Sequence, residues 1–155
     1  MMAKSHQKLI DAYVKAFTSL RPGNIDTLLA LVEIDVVFVD PFNNLRGKAA
    51  FGAVFEHMFE TTIEPQFTVS DVALSKMRDR HVTYLRWQMT ARTKGWPSVS
   101  LELEGMSEIH IGDTGLVSHH IDHWDSASQL MRHLPVIGAI IRPILRLFQI
   151  KPVKK

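Results

Sequence analysis

Residues 34–47, IDVVFVDPFNNLRG, read as a strand that alternates and then stops at a proline. Ile34, Val36, Phe38 and Asp40 fall on one face; Asp35, Val37 and Val39 fall on the other. The Phe38 face is apolar, so Asp40 extends an inward-pointing row. Pro41 cannot donate to a sheet ladder and ends the strand. A carboxylate at the inner end of an apolar row is costly unless it is hydrated, hydrogen-bonded or used. Two readings of Asp40 therefore stand. It caps the turn Pro41-Phe42-Asn43-Asn44, as Asp commonly does, or it is a working group.

On the N-terminal side, residues 5–20 have the spacing of a helix. Leu9, Tyr13, Phe17 and Leu20 line one face, Ser5 suits the N-cap, and Arg21-Pro22-Gly23 breaks the helix. Tyr13 is then a phenol within an apolar stripe, and the commonest reason for that is a core tyrosine with its hydroxyl satisfied. A second short helix starts at Asn24 and buries Leu28, Leu31 and Val32. On the C-terminal side, residues 48–62 form a third helix with Phe51, Val54, Phe55, Met58 and Phe59 on one broad face. That face either packs as core or walls a ligand cavity.

After Pro65 the apolar period changes to two. Strands are predicted at 66–76, 81–93, 98–111 and 116–124, joined by short turns and therefore antiparallel. The turns fall at 77–80, 94–97 and 112–115. Helices followed by such a meander give an α+β domain, with helices packed on one face of a bent sheet. Gly105, within a long strand, is a natural kink point. Parity turns Leu85, Trp87, Met89 and Ala91 inward, and likewise Leu101, Leu103, Ser107 and Ile109. Ser107 needs a polar partner there.

The last strand, LVSHHIDHWD, is mixed on both faces, so alternation does not settle which row is inward. His119 and His123 are four residues apart on a strand, on the order of 13 Å, too far for one metal ion. No metal is expected. His120 and Asp122 instead suit a same-face hydrogen-bonded pair, and Asp125 suits the cap of the helix that begins at Ser126.

The chain of 155 residues suits one domain, with 46% hydrophobic and 22% charged residues. Without cysteine it has no disulfide, thiolate metal site or cysteine nucleophile. The start MMAKSHQKL has no apolar core of signal-peptide length, and no apolar run is long enough to span a bilayer, so a cytoplasmic protein is expected. The net charge of +2 hides an asymmetry, because after Asp125 there are six Lys and Arg and no acid. A basic character confined to the tail argues against a nucleic-acid-binding surface. Residues 1–130 read as the domain, and 131–155 as an apolar, basic helical tail. The tail, broken by Pro135 and Pro143, suits sheet docking, a subunit interface or an anionic membrane surface. Read along the chain it shows no aromatic belt and no clear segregation of cations, which favours docking or dimerisation over a membrane.

YVKAF, NIDTLLALV, VFVDPFNNLRGKAAF and the meander ending GLVSHHIDHWD together resemble the NTF2-like, or SnoaL-like, superfamily. That group holds ketosteroid isomerases, polyketide cyclases and limonene epoxide hydrolases. The resemblance implies a cone: three N-terminal helices on a strongly bent antiparallel sheet around an apolar pocket, here walled by Phe17, Phe38, Phe55, Met58, Trp87, Ile121 and His123. It implies Asp40 as general base and Tyr13 as donor to the enolate oxygen. Ser107 stands where isomerases carry a protonated aspartic acid, a departure that weakens the oxyanion hole. In the cyclase branch a residue of the later strands serves, and His119 is the match. The resemblance also implies a small hydrophobic ligand, no cofactor, and a homodimer through the outer sheet face.

Overall fold

The computed structural model describes residues 2–77 and 80–150. Two compact units divide the chain, residues 1–124 and 125–155. The first is α+β, as its hydrophobic periods require. It holds α1 (Met2–Thr18), α2 (Ile25–Leu29), β1 (Val32–Val39), β2 (Asn44–Arg46), α3 (Lys48–Thr61), β3 (Thr62–Met77), β4 (Arg80–Thr93), β5 (Ser100–Ile111) and β6 (Val117–His123).

The six strands form one curled, unclosed sheet in the order β2-β1-β6-β5-β4-β3. The meander β3 to β6 is antiparallel, as the short turns require. Residues 78 and 79 of the first predicted turn lie outside the described residues. The sheet is not wholly antiparallel, because β1 lies parallel to β6. No turn signal in the sequence could announce that long-range pairing. The short strand β2 also escapes the periodicity, being three residues long; it pairs back on β1, Phe38 opposite Leu45. Gly47 follows with φ +103°, a conformation that favours glycine, and turns the chain into α3.

The inward rows of β4 and β5 are those parity predicts: Leu85, Trp87, Met89, Ala91, Leu101, Leu103, Ser107 and Ile109 are all buried. Three local expectations fail. The first helix begins at Met2, so Ser5 lies inside it. Asn24 does stand at the N-cap of α2 as expected, although its side chain bonds Arg21 N and Ser19 O and not the helix. Ile34 is 79% exposed although it shares parity with buried Val36 and Phe38. The cause is a break in register between Val32 and Val37, which swings the middle of β1 outward. The extended part begins before Pro65, not after it: Pro65 lies within β3, an edge strand where a missing N–H is tolerated, at a register shift between Ile63 and Gln66.

The second unit holds α4 (Ser126–Gln129), a 3-10 turn (Met131–His133) and α5 (Pro135–Leu147). Asp125 caps α4 by accepting from Ser128 N at 3.0 Å. Pro135 does interrupt the tail, standing at the first turn of α5 where its missing N–H costs nothing. Pro143 does not, and the helix runs on through it. Gly138 is buried against the 3-10 turn, and a methyl group there would fall on the Arg132 carbonyl. Gly138→Ala is expected to unseat α5 from that turn and lower the unit's protection in amide hydrogen exchange. Unchanged protection across residues 131–147 would contradict this packing.

Candidate functional site

The last strand departs from strict alternation, and that departure builds the site. Between the pairs Ile111–Val117 and His110–His119 the β5–β6 register shifts, placing an extra residue, Ser118, on β6. Val117 and His120, three apart, are consequently both buried, each with no exposed surface. The row that points inward is therefore His120 and Asp122. Asp122 stands directly opposite Ser107 of β5, and His120 opposite Ile109.

Four side chains join there. Tyr13, from α1, places its hydroxyl 2.6 Å from His120 Nδ1. His120 Nε2 lies 2.9 Å from Asp122 Oδ1. Ser107 Oγ donates to the same oxygen at 2.5 Å. Tyr13, Ser107 and His120 are wholly buried, whereas the Asp122 side chain keeps 15% of its surface. Asp122 Oδ2 has no hydrogen-bond partner among the described residues. The rings of Phe17, Phe38 and Phe51 surround the imidazole, with centroids 5.8, 5.5 and 5.6 Å away. The polar chain thus runs through an aromatic interior and ends at a carboxylate, partly exposed, with one oxygen unpartnered among the described residues.

The direction of the chain follows from Tyr13. Burial pushes its phenol well above the ordinary value, and the nearby Asp122 charge pushes it further. It therefore keeps its proton, and His120 is its only hydrogen-bond partner among the described residues. The O–H then donates to Nδ1, so the imidazole proton sits on Nε2 and is donated to Asp122. A tyrosine with a raised value stabilises the fold fully below about pH 10, and that contribution is lost as pH rises beyond it. Of the two tyrosines, Tyr13 is expected to ionise only as the chain unfolds in alkali. Phenolate absorbance and circular dichroism recorded together should show the two events coinciding. Tyr13→Phe should remove the late phenolate step, and an unaltered alkaline titration would contradict the assignment.

The remaining residues singled out in the sequence lie elsewhere. Asp40 caps its turn: Oδ1 accepts from Phe42 N at 2.8 Å, Asn43 N at 2.6 Å and Asn43 Nδ2 at 3.0 Å, and Oδ2 is 3.1 Å from Asn43 Nδ2. His119, Ile121 and His123 alternate with the inward pair and take the opposite face. His119 is half-buried beside His110, and burial together with that neighbour holds its imidazole below the ordinary value. His123 is exposed and reaches Glu108 at 3.5 Å. Phe17, Phe38, Phe55 and Trp87 are buried in the interior, and Met58 at its edge is half-buried. A cavity of about 370 Å³ opens at the far ends of α1 and α3, lined by Leu20, Arg21, Pro22, Phe59, Thr62, Ile63, Glu64, Pro65 and Lys94, none of them a predicted site residue. Among the described residues no group of His, Asp and Glu is arranged to hold a metal ion.

His120 and Asp122 are the residues that strand parity left unassigned. Their spacing as a pair was legible; their burial was not, because it depends on the register shift.

Solved structures share this fold. A polyketide-cyclase candidate from Silicibacter sp. is 22% identical, with TM-score 0.62, over 85% of this chain and 96% of that one. A Catenulispora acidiphila protein of ketosteroid isomerase-like fold, in complex with trimethylamine, is 15% identical, with TM-score 0.65, over 83% and 94%. A Mycobacterium tuberculosis protein in complex with estradiol-17beta-hemisuccinate is 15% identical, with TM-score 0.61, over 78% and 94%. No curated protein matches the sequence. A profile of the SnoaL-like domain matches residues 10–120, from α1 through His120. With that match over most of the chain, and the same α+β fold around it, the protein belongs to the SnoaL-like domain family.

Proposed function

We propose that this protein performs acid–base chemistry on an apolar carbonyl compound, steroid-like or polyketide-like, with Asp122 as the group that takes up and returns the proton. The observation that carries the reading is the buried chain Tyr13–His120–Asp122–Ser107 with one free carboxylate oxygen at its end. Two donors fix Oδ1 and so set the rotamer of the carboxylate, leaving the lone pairs of Oδ2 for a substrate proton. Trp87 supplies a second element. Its indole N–H is buried and has no hydrogen-bond partner among the described residues. On the sheet Trp87 stands opposite Gly105, two residues from Ser107 and on the same inward face. A substrate carbonyl oxygen would satisfy that donor, and the bond would strengthen as the oxygen gains charge.

In the step proposed, Asp122 Oδ2 removes a proton from the carbon next to the carbonyl. The C–H electrons move into the enolate, whose oxygen accepts from Trp87. The protonated Asp122 then delivers the proton to the γ-carbon of the dienolate, and no atom is gained or lost. The relatives named as a polyketide-cyclase candidate and a ketosteroid isomerase-like fold support the substrate class.

A second reading, ligand binding without turnover, is favoured by the aromatic rings closed around His120 and by the steroid complex of the Mycobacterium tuberculosis relative. Conversion of β,γ-unsaturated ketones to conjugated enones, followed by ultraviolet absorbance, separates the two. The catalytic reading predicts conversion that Asp122→Asn removes. A ligand that binds wild type and Asp122→Asn equally and emerges unaltered would establish the other. The same assay on Asp40→Asn weighs Asp40, the base the family resemblance implies.

A further inference from the structure

We infer that α5 is a surface anchor for anionic lipid bilayers, lying in the headgroup region with its apolar face down. Read along the chain, the tail shows no segregation of charge. The unbroken helix supplies it. At 3.6 residues per turn, Arg142 and Arg146 fall on one side together with Pro135 and Ala139. Val136, Ile137, Ile140, Ile144 and Leu147 share the opposite side.

That apolar side is bare. Val136 is 77% exposed, Ile140 62% and Leu147 81%, and Phe148, just past the helix end, is 83% exposed. A 13-residue helix is about 20 Å long, too short to cross a bilayer but suited to lie along one. No helix among the described residues is long and apolar enough to cross a membrane.

Charge decides the occupant. After Asp125 the sequence has Arg132, Arg142, Arg146, Lys151, Lys154 and Lys155 and no acid. A second copy packed helix to helix on this face would add the two arginines of another α5 and no acid, so it offers these cations no partner. An anionic lipid surface compensates them, each cation near the surface adding to the attraction, while the apolar side enters the acyl boundary. Arg142 also donates to the Arg132 carbonyl at 3.3 Å, which orders its stem and leaves further N–H donors for phosphate.

The test is sedimentation of the full chain with vesicles of phosphatidylcholine alone or mixed with phosphatidylglycerol. Wild type is expected to pellet with the mixed vesicles, to stay in solution with phosphatidylcholine, and to be released by salt. Arg142→Gln with Arg146→Gln should weaken binding about thirtyfold. Ile140→Glu, at an exposed position that the fold does not need, should abolish it with the circular dichroism unchanged. Wild type remaining in solution with the mixed vesicles would overturn the inference, and so would equal binding to both vesicle types. A change of oligomeric state on Ile140→Glu, without vesicle binding by wild type, would also overturn it and assign the face to a second copy.

Discussion

Asp122→Asn is expected to lower the turnover of a β,γ-unsaturated ketone by about 10²–10⁴-fold while the protein keeps its fold. Asparagine has nearly the shape of aspartate, and its carbonyl oxygen can still accept from Ser107 and His120 as Oδ1 does now. The change falls on the other atom. Where Oδ2 offers lone pairs to a proton, the amide offers only N–H donors. Binding of an unreactive ketone should survive, so the loss belongs in kcat more than in KM. Asp40→Asn should cost far less, because the turn that Asp40 holds spends both carboxylate oxygens on Phe42 and Asn43. Steady-state rates of the two variants beside wild type, with circular dichroism as the control for folding, check both statements.

Gly105→Ala is expected to destabilise the domain by about 3 kcal/mol. A methyl group there would lie 2.7 Å from the Trp87 ring, 2.8 Å from the His123 carbonyl oxygen and 2.8 Å from Trp124 Cβ. Two of these atoms belong to or adjoin backbone on the next strand and cannot rotate away. The penalty is steric, since the backbone of Gly105 is not in the left-handed region. The thermal midpoint should fall by roughly 6–12 °C. Because the Trp87 ring must also move, turnover should fall with it, whereas a midpoint within a degree or two of wild type would show that the strands do not approach this closely.

Gly105 also shows how far the sequence carries. It reads as a kink because glycine interrupts a long alternating strand; the structure adds that an indole ring crosses over it. Alternation placed Leu85, Trp87, Leu101, Leu103 and Ser107 inward, because each of these strands presents one uniformly apolar row. It also foresaw a polar partner for Ser107 and a bond between His120 and Asp122, and both are present. It could not orient β6. There both rows are mixed, and the register shift at Ser118 buries two residues three apart, a spacing that period two does not contain. Register shifts belong to the pairing of one strand with another, here β6 with β5, which local pattern does not record. The same limit explains Ile34, an apolar residue in an apolar row that a shift in β1 turns to solvent. In the tail the error ran the other way. Pro143 reads as a break, yet the helix continues through it, and only that continuity puts the two arginines on one side.

The buried chain of hydrogen bonds makes one claim about a single proton, and that claim can be checked without a substrate. Nitrogen-15 spectra of the His120 ring near neutral pH, assigned by comparison with Tyr13→Phe, report which nitrogen carries the hydrogen. A phenol that donates to Nδ1 and an imidazole that donates to Asp122 predict a proton on Nε2 and none on Nδ1. A proton on Nδ1 would mean that His120 donates to Tyr13, that the chain does not run toward Asp122, and that the site proposed here is not built to serve that carboxylate.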